Sequence, residues 1–189
     1  MDLKEEKQLI LEAKKNPEVF GQIFDEYYPK IYNYLIKRTT DVLLSQDLAS
    51  EVFIKAFDKL WQFRFKGVSF GAWLYQIANN EIRMYFRSNK PVASLDQMMD
   101  QYGFDLADFT DLSQEMIQAE ETLEKHEDFL KVQKQIATLP IIYQEVLALR
   151  FFEEKSLIEI STILSKKEGT VKSLLSRGLQ KLRDSLQPL

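Results

Sequence analysis

The chain has 189 residues and a formal net charge of −4, with 45% hydrophobic and 12% aromatic content, enough for one sizeable core or two small ones. With no cysteine and a single histidine, His126, it excludes disulfides, thiolate metal sites and histidine clusters, and no cofactor is expected. No apolar run approaches the roughly 20 residues of a membrane span, and the charged opening MDLKEEKQLILEAKK is unlike a signal peptide, so the expected setting is cytoplasmic without membrane insertion.

Helices follow one another from the start. Asn16 and Pro17 stop a first short helix and cap a second, with Pro17 at a first helical position where its missing N–H costs nothing. Val19, Phe20, Ile23, Phe24 and Tyr27 then recur at helical spacing, and the pattern resumes after Pro29 with Ile31, Tyr34 and Leu35. A third helix is predicted to open near Ser45, with Leu48, Val52, Ala56 and Leu60 on one stripe and Ala49, Phe53 and Phe57 beside it. A fourth is predicted from about Ser69 to Arg87, burying Phe70, Trp73, Leu74, Ile77, Ala78 and Tyr85.

The connection between the third and fourth helices, WQFRFKGVSF, interleaves aromatics with Arg64 and Lys66 around Gly67. Aromatic faces can stack on unpaired bases while cations follow a phosphate backbone. The same rings can equally pack between helices, and at least two of Trp61, Phe63 and Phe70 are expected in the core. On the fourth helix Gln76, Asn80, Arg83 and Arg87 share one polar face.

From Lys90 to about Glu121 helical periodicity fails and Pro, Gly, Ser and Asp mix with scattered apolar residues, which marks a linker. Residues 1–90 hold 14 basic and 12 acidic side chains, residues 91–128 one and 11, and residues 129–189 ten and six. The acidic stretch is either an inert tether or a phosphate mimic that lies in a positive channel. The expected organisation is all-α: a helical domain over 1–90, an acidic flexible linker over 91–121, and a second helical domain over 122–189 in which Pro140 starts a helix.

That second domain carries the most specific pattern. In SLIEISTILSKKEGTVKSLLSRGLQKLR, Ser156 and Glu159 form a capping box before an apolar stripe of Leu157, Ile160, Ile163 and Leu164. After a tight polar turn, Val171, Leu175, Leu179 and Leu182 make a second stripe and leave Lys172, Ser173, Ser176, Arg177, Lys181 and Arg183 on polar faces. Two such helices form a helix-turn-helix, whose second helix normally enters the major groove. From Ile163 to Arg183 six basic residues face one acid, a segregation hard to produce by chance in an acidic chain. No Gly-rich phosphate loop or Ser/His/Asp set is present, so an enzyme is not expected.

One surface suited to single strands and one suited to a duplex groove, on a flexible bridge, is what promoter opening requires. The runs FDEYYPKIYNYL, SQDLASEVFIKAF and FRFKGVSFGAWLYQIANNEIRMYFR, followed by LPIIYQEVLALRFFEEKSLIEISTIL and EGTVKSLLSR, resemble the second and fourth regions of a bacterial RNA polymerase sigma factor of the extracytoplasmic-function (ECF) group. The resemblance implies a factor that binds core RNA polymerase and promoter DNA, often held inactive by an anti-sigma partner. It implies polymerase contacts at Gln46, Asp47, Glu51 and Lys55, and −10 contacts at Phe63, Arg64, Phe65, Lys66, Asn80, Arg83 and Arg87. Contacts to the −35 element are implied at Lys167, Thr170, Lys172, Ser173, Ser176, Arg177 and Lys181.

Several positions depart from that family's pattern. Asn79 and Leu174 stand where an Arg is usual and Met84 where an acid is, each removing charge from an expected DNA face. Ser165 and Lys166 replace a glycine and an apolar residue in the turn, and Gly178 weakens the recognition helix by about 1 kcal/mol relative to alanine. Two rival readings follow: a stand-alone helix-turn-helix regulator, and a polymerase-binding protein that has lost promoter reading.

Overall fold

The computed structural model of the chain describes residues 3–65, 68–89 and 126–186, and the expected linker lies outside them. The chain divides into two compact units, Met1–Ser88 and Asn89–Leu189. Among the described residues there are eight α-helices and no strand.

In unit 1, α1 (Leu3–Ala13) buries Glu6, Ile10 and Ala13 along one face. Asn16 Oδ1 accepts from Glu18 N at 3.1 Å, and Pro17 opens a 3₁₀ turn, Pro17–Val19, that runs directly into α2 (Phe20–Thr39). The sequence pattern suggests a break at Pro29, but α2 is continuous through it. An interior proline costs about 3 kcal/mol in helix propensity. Pro29 is on the solvent side, however, while Ile23, Ile31, Tyr34 and Leu35 are buried on both sides of it, so packing of the opposite face outweighs one lost hydrogen bond.

A left-handed Thr40 (φ 56°) ends α2, and α3 (Val42–Lys59) starts three residues before the expected Ser45. The cap is Asp41, whose Oδ1 accepts from Leu44 N at 3.0 Å. Ser45 is instead an interior residue, fully buried, donating to Asp41 O at 2.6 Å and 2.7 Å from Thr39 Oγ1. After the 3₁₀ turn Leu60–Gln62, α4 spans Phe70–Asn89, with Ser69 Oγ accepting from Ala72 N at 3.1 Å. Phe70, Leu74 and Ala78 are buried as expected, whereas Trp73, Ile77 and Tyr85 are half-buried.

Unit 2 is built around a helix that is covered on every side. Helix α5 (His126–Thr138) is followed by Pro140, which caps α6 (Ile141–Leu147), and α6 widens into a π turn at Ala148–Phe152. Residues 143 to 149 are all buried, so α6 is the centre of the unit. Gln144 Nε2 donates to Ala137 O at 3.0 Å and Leu139 O at 2.8 Å, satisfying carbonyls at the end of α5. Helices α7 (Leu157–Leu164) and α8 (Glu168–Leu186) complete the unit, α8 burying Val171, Leu175, Gly178, Leu179 and Leu182.

Gly178 has a packing reason that its helix propensity hides. A Cβ built there would lie 3.3 Å from Leu147 Cδ1 and 3.5 Å from Tyr143 Cβ. The missing side chain lets α8 approach α6 closely, so Gly178 belongs to the core and not to the exposed polar side of α8.

Candidate nucleic-acid interface

The helix-turn-helix is held by local hydrogen bonds that the sequence specifies. Glu159 Oε2 accepts from Ser156 N at 2.9 Å and Ser156 Oγ at 2.7 Å, while Glu159 N donates back to Ser156 Oγ at 3.3 Å. Burial alone would raise the Glu159 carboxyl, but these hydrogen bonds and the Lys155 ammonium outweigh it and hold the group below its usual range. At the other end of α7 Ser165 takes the left-handed conformation (φ 53°), and Lys166 N donates to Ser161 O at 2.9 Å. The glycine-like turn position is therefore kept, filled by serine, with the carbonyls of the last turn satisfied.

The turn spans only Ser165–Lys167, and α8 then presents its unburied side outward. Lys167, Thr170 and Arg177 are exposed, and Lys172, Ser173 and Ser176 are half-buried alongside them, opposite the Val171, Leu175, Leu179 and Leu182 stripe. Farther along, Lys181 lies with Nζ 5.9 Å from the centre of the Tyr143 ring, a cation–π contact that draws it toward α6. Leu174 is half-buried.

In unit 1 the aromatic connection divides into core and surface. Phe63 is only 5% exposed, packed with ring centroids 5.2 Å from Phe70 and 5.1 Å from Trp73. It therefore offers no open face for a base, and the same is true of Phe70, which is fully buried. Phe65 is half-buried, edge-on to Phe63 at 4.8 Å, and Trp61 is 66% exposed. Arg64 is exposed, with Nη1 donating to Trp61 O at 2.7 Å and Phe63 O at 3.2 Å. Lys66 lies outside the described residues.

On α4, Asn80 and Arg87 are exposed and Arg83 is half-buried on the same side, with Met84 50% exposed between them. Asn79 points the other way. It is 2% exposed; its Oδ1 accepts from Tyr34 OH at 2.7 Å and Arg38 Nη1 at 3.2 Å, and its Nδ2 donates to Tyr75 O at 2.8 Å. The expectation that this position removes charge from a DNA face is thus corrected: Asn79 is the buried acceptor that joins α2 to α4. Glu81, the next acidic residue along α4, is also buried, 2.5 Å from Lys55 Nζ.

That ion pair fixes Lys55, which also lies 4.0 Å from Glu51, between α3 and α4. Gln46, Asp47 and Glu51 remain exposed on α3. Beside them Phe20, Phe24, Ser50, Phe53, Ile54 and Phe57 line an open apolar groove of about 330 Å³. Phe24, which recurs at helical spacing in the sequence, and Phe57, which lies beside an apolar stripe, are both exposed on the rim of this groove.

The segment from α1 to Lys14, to which the sequence assigns no role in the site, reaches α4 at one point and the connection at another. Glu6, 4% exposed, accepts from Tyr27 OH and, at 3.3 Å, from Gly71 N in the first turn of α4. Burial, and then the bond to Glu6, push the Tyr27 phenol up, so it remains a donor. Lys14 Nζ donates to Phe63 O at 2.6 Å, and burial together with the Arg64 charge pushes the Lys14 ammonium down. Among the described residues no group of His, Asp and Glu could hold a metal ion, and no helix is long and apolar enough to cross a membrane.

Comparison with known proteins gives a consistent result. Residues 23–92 match the family model for Sigma-70 region 2, and residues 129–182 match that for Sigma-70, region 4. The ECF RNA polymerase sigma factor SigW of Bacillus subtilis is 32% identical over 185 residues, spanning 97% of each chain. The ECF RNA polymerase sigma factor BldN of Streptomyces coelicolor is 30% identical, over 87% of this chain and 59% of BldN. Among solved structures, CnrH in complex with the cytosolic domain of CnrY superposes with a TM-score of 0.62 at 19% identity, covering 96% of both chains. RpoE in complex with the anti-sigma factor NepR from Bartonella quintana superposes with a TM-score of 0.58 at 21% identity, over 88% of this chain and 96% of that one. At those identities the structures carry the fold alone.

Proposed function

The chain belongs to the ECF group of RNA polymerase sigma factors, proteins that direct promoter-specific transcription initiation, and from that premise we propose which of its surfaces perform each part of the task. Unit 2 reads the −35 duplex through Lys167, Thr170, Lys172, Ser173, Ser176, Arg177 and Lys181. The observation that carries this reading is the outward side of α8, where hydroxyls and cations stand opposite a fully packed stripe. Cations there contact phosphates and set affinity, while the hydroxyls and the guanidinium reach base edges.

Unit 1 holds melted −10 bases. Phe65 and Arg64 supply the stacking edge and cation of the connection, and Lys66 belongs with them by position; Asn80, Arg83 and Arg87 carry the strand along α4. Phe63 contributes by supporting Phe65 from below. The functional domains are residues 1–90 and 122–189, with 91–121 as the acidic linker between them.

Core polymerase docks on α3 through Gln46, Asp47 and Glu51, with Lys55 holding that helix to α4. An acidic rim next to an apolar groove suits a protein partner. An anti-sigma factor is the expected regulator, in keeping with the likeness to RpoE solved with the anti-sigma factor NepR, and the setting is cytoplasmic. Two substitutions test the assignment. Lys172→Ala with Arg177→Ala should weaken −35 duplex binding and flatten its salt dependence by roughly one to two units of slope, each phosphate contact carrying about 0.9. Phe65→Ala should spare duplex binding and lower permanganate reactivity of unpaired thymines. An unchanged slope, or equal reactivity, would remove the corresponding surface from the mechanism.

A further inference from the structure

We propose that Lys14 and Arg64 together form a phosphate site at the edge of unit 1, taking a phosphodiester of the unpaired DNA strand. The inference rests on the reading of the Phe65 connection as the place where melted bases are held. It adds to that surface the residue that follows α1, outside the segment that matches Sigma-70 region 2.

Two cations converge on one neutral acceptor. Phe63 O receives Lys14 Nζ at 2.6 Å and Arg64 Nη1 at 3.2 Å. Neither side chain meets a carboxylate among the described residues: the other contacts of the pair are the Phe63 ring, 6.0 Å from Lys14 Nζ, and Trp61 O, 2.7 Å from Arg64 Nη1. Like charges this close repel, and proteins ordinarily relieve such a pair with an acid. Here a backbone carbonyl holds them together instead, beside the half-buried Phe65.

Donor capacity remains on both groups. An ammonium has three protons and Lys14 gives one to Phe63 O; a guanidinium has five, and Arg64 bonds through Nη1 alone, which leaves Nε and Nη2 open. A phosphate oxygen arriving between them would cancel the repulsion and accept charge-assisted hydrogen bonds from both. Burial, and then the Arg64 charge, lower the affinity of Lys14 for its proton.

The test is binding of the full chain, complexed with core polymerase, to a short single-stranded oligonucleotide carrying a −10 element recovered by run-off transcription, with the same sequence as a duplex for comparison. Lys14→Met should lose roughly five- to tenfold in single-strand affinity and flatten the salt dependence by about 0.7 units of slope, the value for one contact to a single strand. Lys14→Arg should retain both, and neither variant should alter −35 duplex binding. An unchanged slope in Lys14→Met, even with weaker affinity, would reduce Lys14 to a structural tie and overturn the site. So would an equal loss on the duplex. Phe65→Ala separates the two levels of the argument: if it binds the oligonucleotide as the parent does, the reading of the connection fails, whereas if it is weak while Lys14→Met is normal, only the phosphate site fails.

Discussion

The two units handle their cations in opposite ways. On α8 the basic and hydroxyl side chains stand off a regular helix, because the repeat that packs Val171, Leu175, Leu179 and Leu182 inward leaves the remaining positions outward. In unit 1 several cations are tied into tertiary contacts. Arg38 is buried against Tyr34 and Asn79, Lys55 is bound to Glu81, and Lys14 and Arg64 meet at the Phe63 carbonyl. A helix displays charge as a by-product of its core; an irregular connection displays it only where tertiary contacts hold the backbone in place. The surface proposed to read the duplex should therefore be robust to core changes, and the one proposed to hold the single strand sensitive to them.

Several substitutions break or sharpen that contrast. Asn79→Leu should have the largest effect, because it removes the shared acceptor of Arg38 and Tyr34 from a buried site, at about 2–4 kcal/mol. Amide exchange should show that loss in α2 and α4, and −10 oligonucleotide affinity should fall with it while −35 binding is retained. Next comes Gly178→Val, which drives a side chain into Leu147 and Tyr143 and should cost about 1–3 kcal/mol by urea unfolding. Gly178→Ala should be close to neutral, since the gain in helix propensity of about 1 kcal/mol is spent on a 3.3 Å contact.

A smaller effect is expected at the cap of α7. Ser156→Ala should destabilise by about 1 kcal/mol, measured by thermal unfolding. Because the folded state lowers the Glu159 carboxyl, the stabilisation it brings is complete above the ordinary glutamate range and lost as pH falls through the lowered value. Glu159→Gln should flatten that acid dependence. Smallest in stability is the pair Lys172→Ala and Arg177→Ala, expected within about 0.5 kcal/mol of the parent by the same melts, although it should change the salt slope of duplex binding.

How much was legible in the sequence differs between the units for the same reason. Capping box, turn and stripes of the helix-turn-helix are local, and Ser156, Glu159 and the α8 spacing specify them within a few residues. Family likeness then supplied the order of the two regions. What the pattern missed was decided at a distance. Continuity through Pro29 depends on the packing of Ile23 and Ile31, and the start of α3 on Asp41 capping while Ser45 turns inward. Asn79 sits one residue from exposed Asn80, and only the partner helix reveals that it faces Tyr34 and Arg38. Gly178 reads as a weak point until Leu147 is seen above it. The contributions of Glu6 and Lys14 span 65 and 49 positions in sequence, beyond any periodicity.

The central claim is a division of labour between duplex reading and strand holding on one polymerase-bound chain. Run-off transcription with core polymerase on a duplex promoter, and on the same promoter opened beforehand by mismatches across the −10 element, tests it most directly. Phe65→Ala should be defective on the duplex and largely rescued on the open template, while Lys172→Ala with Arg177→Ala should stay defective on both. Equal rescue of the two variants, or of neither, would contradict it.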